Sequence, residues 1–258
     1  MRFDANQEGA RLGLGRLSTA VLATAFLLSL ASSASAASTG NPYTGTGFDI
    51  SYPQCGASAD PAGSFGIIGV TGGRAFTANS CFTTEYDRAP AQRSIYMNLN
   101  AAVGSTADNG STGPYNSSGI CGHGDRTCQA YNYGWKAAQH AYGQAGTRKA
   151  STWWLDIETA NSWQSQVALN QHTIQGAVDF LLNQTSPGGV SNPQPTVGIT
   201  SVGIYSWASA WQKIVGNWKP NLPVWYAGTS SCSVSSFTSG PVWLVQAASG
   251  VSNGDTAC

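Results

Sequence analysis

Apolar and polar positions alternate with a short period in several stretches of the chain, and longer helical patterns separate some of these stretches. Short runs rich in β-branched and aromatic residues, bounded by Gly, Pro, Asn and Ser, are typical of strands. Seven such runs predict strands at Gly47–Ser51, Gly66–Thr71, Ser94–Asn100, Thr152–Glu158, Val202–Ser206, Pro223–Ala227 and Pro241–Ala247.

Helical spacing is clearest over Arg126–Gln144 and Gln166–Gln184 and weaker over Thr83–Gln92 and Trp207–Val215. A strand, a crossover and another strand, repeated about seven times, predict a parallel sheet with helices outside it. We expect an α/β fold that forms a single (β/α) barrel, closed or incomplete, with an open doubly wound sheet as the alternative. Both architectures place functional residues at the carboxyl ends of the strands.

The first 36 residues have the pattern of a secretory signal peptide. Three arginines precede an apolar run over Leu17–Leu30, and Ala34-Ser35-Ala36 matches the small-x-small cleavage pattern. The apolar run is shorter than the roughly 20 residues that a membrane-spanning helix needs. We therefore expect a signal peptide at residues 1–36, cleaved near Ala36, and one barrel domain at residues 37–258.

Composition narrows the class of protein further. Only 9% of the 258 residues are charged and the formal net charge is +0, whereas a nucleic-acid-binding protein needs a basic excess. Six Cys in a weakly charged chain are typical of an oxidising compartment. The expectation is a secreted, extracellular monomer that neither binds nucleic acid nor inserts stably into a membrane.

The six Cys allow fifteen disulfide connectivities. Of these we favour three pairs that join loops, Cys121–Cys128, Cys55–Cys81 and Cys232–Cys258. Cys121, His123 and Cys128 would also suit a metal ion, but no second ligand pair has zinc-finger spacing. We therefore expect no metal and no other cofactor.

Carboxylates are scarce, so their positions are informative. Asp156 and Glu158 lie at the end of the fourth predicted strand, and Asp49 lies near the end of the first. Because strand side chains alternate, Trp154, Asp156 and Glu158 share one face, which in a barrel points inward. Two carboxylates this close repel each other, so that one of them stays protonated near neutral pH. A protonated Glu beside an ionised Asp is the arrangement that general acid catalysis of glycoside cleavage requires.

Two other interpretations compete with this one. Asp156 and Glu158 could cap the next helix, but that helical pattern does not begin until Gln166. A serine hydrolase would need a His near the strand ends, whereas His140 and His172 fall on predicted helices.

Ordered segments of the chain resemble a known family. The matching segments, in chain order, are Gly47-Phe48-Asp49-Ile50-Ser51, Phe65-Gly66-Ile67-Ile68-Gly69-Val70, Leu155-Asp156-Ile157-Glu158, Gly203-Ile204-Tyr205-Ser206, Pro223-Val224-Trp225-Tyr226-Ala227, and Trp243-Leu244-Val245-Gln246 followed by Gly254-Asp255. Together they resemble the motifs of the family-25 glycoside hydrolases, the lysozyme-type muramidases. Each motif is short, and only the collinear set over nearly the whole of residues 37–258 is specific.

The resemblance implies a (β/α) barrel that cleaves the β-1,4 bond after N-acetylmuramic acid in bacterial peptidoglycan. It implies Glu158 as the catalytic acid and Asp156 as its partner, which orients the acetamido group of the sugar or stabilises charge. It also implies that Asp49 and Asp255 line the same groove. The chain departs from the family pattern at Thr71-Gly72-Gly73-Arg74, at Asn98-Leu99-Asn100 and at Val245-Gln246-Ala247, and these departures concern the substrate more than the fold.

Aromatic residues are abundant near the predicted strand ends. Sugar rings stack on indoles, so Trp154 is a candidate substrate-binding residue. Tyr205 and Tyr226 are candidates to donate a hydrogen bond to an acetamido oxygen, and Gln246 and Asp255 complete the expected binding set. The leading hypothesis is a lysozyme-like hydrolase with a cell-wall polysaccharide as partner. The alternative is an extracellular glycan-binding or surface barrel that keeps the fold without turnover.

Overall fold

The computed structural model describes residues 40–57, 60–104, 110–122, 124–192, 195–247 and 254–258. The expected signal peptide and His123 lie outside these residues. Eight strands follow one another as β1 (Thr46–Ile50), β2 (Phe65–Gly69), β3 (Gln92–Asn98), β4 (Thr152–Asp156), β5 (Ser201–Ser206), β6 (Val224–Ala227), β7 (Val242–Gln246) and β8 (Asp255–Ala257). The helices are α1 (Phe82–Arg88), α2 (Arg126–Ala145), α3 (Val167–Leu181) and α4 (Ala208–Val215), with a short 3-10 helix at Tyr52–Gln54.

The strands close into a barrel in chain order, which confirms the expected (β/α) barrel. β1 to β7 pair in parallel, and β8 closes the barrel antiparallel to both β7 and β1. The sequence pattern predicts seven strands and misses β8, because three residues are too few to show a period. The antiparallel direction of β8 has one consequence for the site: its first residue, Asp255, lies at the end of the barrel where the parallel strands finish.

Alternation along β4 divides its side chains as expected. Trp153, Leu155 and Ile157 are fully buried in the outer layer against the helices. Trp154 instead belongs to an aromatic cluster inside the barrel, which includes Trp225. The outer face of β4 therefore holds the helices, and its inner face leads from the aromatic cluster to Asp156.

Individual residues fix where α1 ends and where α2 begins. The weak helical pattern predicts that α1 reaches residue 92, but the helix ends at Arg88, because Pro90 disfavours a helical conformation at Ala89, where ψ is 155°. The start of α2 is fixed by Asp125, whose side chain accepts a hydrogen bond from the Cys128 backbone N–H at 3.0 Å.

Three disulfides tie loops to the barrel. They join Cys55 to Cys81, Cys121 to Cys128 and Cys232 to Cys258, the same pairs that the sequence analysis favoured, with Cα–Cα distances of 5.4, 5.6 and 5.5 Å. Cys121 and Cys128 are thus bonded to each other and are not metal ligands. The Cys232–Cys258 bond anchors the residue after β8. Within the described residues, no helix is both long enough and apolar enough to span a bilayer.

Candidate active site

Four carboxyl groups meet at the carboxyl end of the barrel. Asp49 is the fourth residue of β1, Asp156 is the last of β4 and Asp255 is the first of β8, while Glu158 follows β4 by two residues. Burial raises the pKa of Asp156 and of Asp255; the charges of Glu158 and Asp49 raise the pKa of Asp156 further, and the charge of Asp49 raises that of Asp255 further. The fold therefore brings together carboxyl groups that are separated by up to about 200 residues of chain.

The segment after β4 is held in place by its neighbours. The Ile157 backbone N–H donates to the Tyr205 carbonyl at 3.0 Å, and the Ser206 hydroxyl donates to the Ile157 carbonyl at 2.7 Å. One residue further, the Trp163 indole N–H donates to the Glu158 carbonyl at 2.7 Å. These bonds extend the β4 path beyond the strand and fix the backbone that presents Glu158.

A cavity of about 570 Å³ opens above this end of the barrel. Glu158 is the only acidic residue and Arg74 the only basic residue among the described residues that line it, and none of them is a His. The lining also contains Tyr52, Gly73, Tyr96, Asn98, Asn100, Tyr133 and Asn161. The cavity is therefore polar and aromatic, and it is open to solvent around one carboxyl group.

Asp156 lies deeper than Glu158, with only 7% of its surface exposed. The Asn98 amide Nδ2 donates to Asp156 Oδ2. Asn98 is itself oriented by the Thr71 hydroxyl, which donates to Asn98 Oδ1 at 2.7 Å. Among the described residues, no group donates a hydrogen bond to Asp156 Oδ1. This oxygen is buried, and Asp156 is not among the residues that line the cavity.

A second set of hydrogen bonds surrounds Asp49. Gln246 Nε2 donates to Asp49 Oδ1 at 2.6 Å, and the Tyr205 hydroxyl donates to Gln246 Oε1 at 2.7 Å. Asp255 is 1% exposed and accepts from the Trp225 indole N–H at 2.8 Å. The second carboxyl oxygen of Asp255, Oδ2, is buried and has no hydrogen-bond partner among the described residues, and Asp255 interacts electrostatically with Asp49.

Burial dominates the protonation of the cluster. It raises the pKa of Asp49 to about 7, against the lowering effect of the hydrogen bond from Gln246, and it raises the pKa of Asp255 to about 9, with a further increase from the charge of Asp49. Of these two acids, Asp255 is therefore the one that stays protonated at neutral pH. Burial also raises the pKa of Asp156, with further increases from Glu158 and Asp49, and it raises the pKa of Glu158. The site thus keeps protonated carboxyl groups at a pH where an exposed carboxyl would be ionised.

Three expected binding residues lie elsewhere than the sequence indicated. Trp154 is fully buried inside the barrel, where it fits because Gly203 on the next strand has no Cβ to overlap its ring. Tyr226 belongs to the outward face of β6 and packs against Phe237 with ring centroids 5.4 Å apart. Asp255 is buried beneath the cavity and does not line it. Trp154 and Asp255 therefore have no surface for a sugar, and Tyr226 faces away from the cavity.

Tyr205 and Gln246 point into the barrel, and their hydrogen bonds connect them to the carboxyl cluster. Sequence reasoning missed the aromatic side chains that do line the cavity. Tyr52 is 49% exposed and lies two residues after β1, and its place close to a predicted strand end was a usable signal. Tyr133 lies on α2 and accepts a hydrogen bond from the Asn100 amide at 2.9 Å. No local sequence pattern predicts this contact, because the two residues are far apart in the chain.

Comparisons with known proteins give few matches. No protein-family model and no curated protein matches the chain. Among solved structures, the chain is similar to the CTP1L endolysin, with a TM-score of 0.48 and 11% identity over 83% of this chain and 67% of that one. It is also similar to a family 25 glycosyl hydrolase from Bacillus anthracis, with a TM-score of 0.47 and 10% identity over 86% and 89% of the two chains. At such low sequence identity and TM-score, neither similarity assigns a function to the chain.

Proposed function

We propose that the protein is a secreted glycoside hydrolase that cleaves β-1,4 bonds in an N-acetylated glycan, with bacterial peptidoglycan as its substrate. One observation supports this most: Glu158, with a raised pKa, lines an open cavity and interacts electrostatically with the buried carboxyl groups of Asp156 and Asp49. A protonated carboxyl group at a solvent-open cavity is the acid that glycosidic bond cleavage needs.

In this proposal Glu158 gives its proton to the oxygen of the leaving sugar as the bond from that oxygen to the anomeric carbon breaks. The acetamido oxygen of the substrate attacks the same carbon and forms a cyclic intermediate, which water then opens. Glu158, now ionised, accepts a proton from that water and returns to its starting state.

Asp156 would orient the acetamido group. Its Oδ2 already accepts from Asn98, whereas its Oδ1 has no hydrogen-bond partner among the described residues. Because Oδ1 is buried in the structure, the proposal requires the side chain of Asp156 to turn toward the cavity when the glycan binds. An acetamido N–H at Oδ1 would then favour the ionised form of Asp156, and the negative charge would stabilise the positive charge that develops on the ring. Asp49 and Asp255 would not touch the substrate. Their protonation states would set the negative charge close to Asp156 and Glu158.

Three disulfides support the secreted location, because such bonds persist in oxidising compartments. The N-terminal pattern supports it as well, with cleavage near Ala36 as the expectation. We propose that the protein acts as a monomer and that its partner is the cell-wall polysaccharide.

Incubation of the purified protein with peptidoglycan tests the proposal. New reducing ends should appear with time, and borohydride reduction followed by mass spectrometry should identify N-acetylmuramic acid at those ends. New N-acetylglucosamine ends would instead assign a different β-1,4 bond. If the protein co-sediments with peptidoglycan and releases no reducing ends, it is a glycan-binding barrel and the hydrolase proposal is wrong.

A further inference from the structure

Arg74 differs from the other arginines that the structure describes. Those others all use their guanidinium groups in hydrogen bonds within the chain: Arg88 to Asp60, Arg93 to Tyr86, Arg126 to Gln164 and Gln166, and Arg148 to Asp87. Within the described part of the chain, Arg74 has neither a side-chain hydrogen bond nor an ion pair. A guanidinium carries five N–H donors, and at Arg74 all of them are available to a ligand.

Hydrogen bonds fix the loop that carries Arg74. The Thr77 hydroxyl donates to the Arg74 carbonyl at 2.6 Å, and the Gly72 backbone N–H donates to the Thr77 hydroxyl at 3.0 Å. A few residues further along, the disulfide between Cys55 and Cys81 ties the end of this loop to the segment that follows β1. The backbone at Arg74 is therefore held at the edge of the cavity, while its side chain is exposed to solvent.

An aromatic ring lies directly beside this loop. Gly73 has a φ of +84°, and a Cβ at this position would lie 2.8 Å from Tyr52 Cε1 and 3.0 Å from Tyr52 Oη. Glycine is therefore required both by the backbone conformation and by the close approach of the ring. Tyr52 is 49% exposed and lines the cavity, so a sugar ring can stack on it. A sugar in that position would have its substituents next to Arg74.

The charge of the cavity indicates what those substituents are. Arg74 and Glu158 are the only charged side chains among the described residues that line the cavity, and no ion pair joins them. When Glu158 is protonated, as acid catalysis requires, the cavity keeps the single positive charge of Arg74. Arginine binds a carboxylate through two parallel N–H···O bonds, a geometry that a neutral sugar hydroxyl cannot match.

We propose that Arg74 is a specificity-determining residue that binds a carboxylate of the glycan, so that the cavity favours an acidic strand over a neutral one. The inference rests on the proposed function for the glycan itself, but the preference can be measured as binding, without cleavage. In peptidoglycan the carboxylate has two sources, the lactyl group of muramic acid in strands without peptide and the peptide stem in strands that carry it. Both present the same group to Arg74.

Three tetrasaccharides of alternating N-acetylglucosamine and N-acetylmuramic acid serve as probes. The first has free lactyl carboxylates, the second has the same groups converted to neutral methyl amides, and the third carries peptide stems. Binding is measured by calorimetry in the Glu158→Gln background, so that no probe is consumed. The second probe differs from the first only in charge, and the third distinguishes the two sources of the carboxylate.

The Glu158→Gln protein should bind an acidic probe about fivefold more tightly than the methyl amide, since Arg74 is exposed and the pair is partly screened by solvent. Adding Arg74→Gln should reduce this ratio to about one, and Arg74→Lys should keep roughly twofold, because an ammonium group keeps the charge but not the paired donors. Raised salt should weaken the acidic probes and leave the methyl amide unchanged. Whichever acidic probe depends on Arg74 identifies the source of the carboxylate.

Lys213→Gln is the matched control. Lys213 is exposed on α4, outside the residues that line the cavity, and it also has no partner within the described residues. Its loss removes one positive charge from the protein and should leave the ratio of affinities unchanged. Equal losses in Lys213→Gln and Arg74→Gln would show that only net charge matters and would overturn the inference. A ratio near one before any change at Arg74, a ratio that survives Arg74→Gln, or failure of all three probes to bind would also overturn it.

Cleavage assays separate this inference from the proposed function. If the otherwise wild-type protein cleaves the probes, Arg74→Gln should lower kcat/KM for the acidic ones about fivefold and leave that for the methyl amide unchanged. If nothing is cleaved but the affinities depend on Arg74 as expected, carboxylate recognition is right and the hydrolase proposal is wrong. Cleavage that does not distinguish acidic from neutral probes would support the hydrolase proposal and overturn the role of Arg74.

Discussion

Asp255 offers a substitution whose effect on stability can be worked out from the hydrogen bonds around it. It is 1% exposed, accepts from the Trp225 indole N–H at 2.8 Å and interacts electrostatically with Asp49. Asn at this position reproduces the protonated acid, since its oxygen can accept from Trp225 and its amide can donate to Asp49. We therefore expect Asp255→Asn to keep the local structure while removing a group that resists ionisation.

The magnitude follows from the pKa. Folding raises the pKa of Asp255 from 3.8 to about 9, so the stability that its protonation gives is fully present below about pH 3.8 and is lost as the pH rises to about 9. Between pH 3.8 and pH 7, about three pH units, Asp255 is ionised in the unfolded chain and still protonated in the folded one. At 1.36 kcal/mol per pH unit, this difference destabilises the fold at pH 7 by at most about 4 kcal/mol. Because the titration of Asp255 is coupled to that of Asp49, we expect Asp255→Asn to stabilise the fold by roughly 2–4 kcal/mol at pH 7.

Thermal and urea unfolding at two pH values provide the assay. At pH 7 the melting temperature of Asp255→Asn should rise by roughly 10 °C, and at pH 4 the gain should nearly vanish. Asp87→Asn is a matched control, because the Asp87 pKa is lowered by its hydrogen bond to Arg148 and its loss should not stabilise the fold. A gain that is the same at both pH values, or a loss of stability at pH 7, would refute this account of the acid pair.

Two further predictions concern the disulfides and the cavity rim. Both Cys232–Cys258 and Cys55–Cys81 close loops of 26 residues, so replacing either pair by Ser should cost about 3 kcal/mol in urea unfolding. Only loss of Cys232–Cys258 should also lower activity by more than tenfold, because it releases the residue after β8, and equal activities in the two variants would contradict this. Tyr52→Ala should raise KM for the glycan about tenfold and change stability by under about 0.5 kcal/mol, since Tyr52 is 49% exposed; an unchanged KM would exclude it from binding.

Much of the fold could be predicted because β4 and its neighbours follow the alternation of buried strands. The same alternation placed Asp156 on the inner face, and the parallel direction of β1 and β4 brought Asp49 to the same end of the barrel. The sequence pattern did not predict elements that are very short or that depend on contacts between residues far apart in the chain. β8 has only three residues, and its pairing with β1 and β7 depends on closure of the whole barrel.

In the candidate site, too, local sequence pattern predicts some features, and others depend on the closed barrel. Glu158 could be singled out because it is the last residue of a predicted strand, Thr152–Glu158, and few other carboxylates exist in the chain. The burial of Trp154 could not, because it depends on Gly203 of a neighbouring strand. The connection from Tyr205 through Gln246 to Asp49 joins β5, β7 and β1, and only the closed register of the barrel makes those side chains neighbours.

The central claim is that Glu158 is the acid that cleaves the glycan. Its most direct test compares the rates at which wild type, Glu158→Gln and Glu85→Gln release reducing ends from peptidoglycan. Glu85 is buried away from the cavity and accepts from Asn79 at 2.7 Å, a bond that Gln can still accept, so its variant controls for a neutralised carboxyl elsewhere. We expect Glu158→Gln to lose about 10²–10⁴-fold in rate while it still binds peptidoglycan, and Glu85→Gln to remain close to wild type. Equal rates in wild type and Glu158→Gln would contradict the claim.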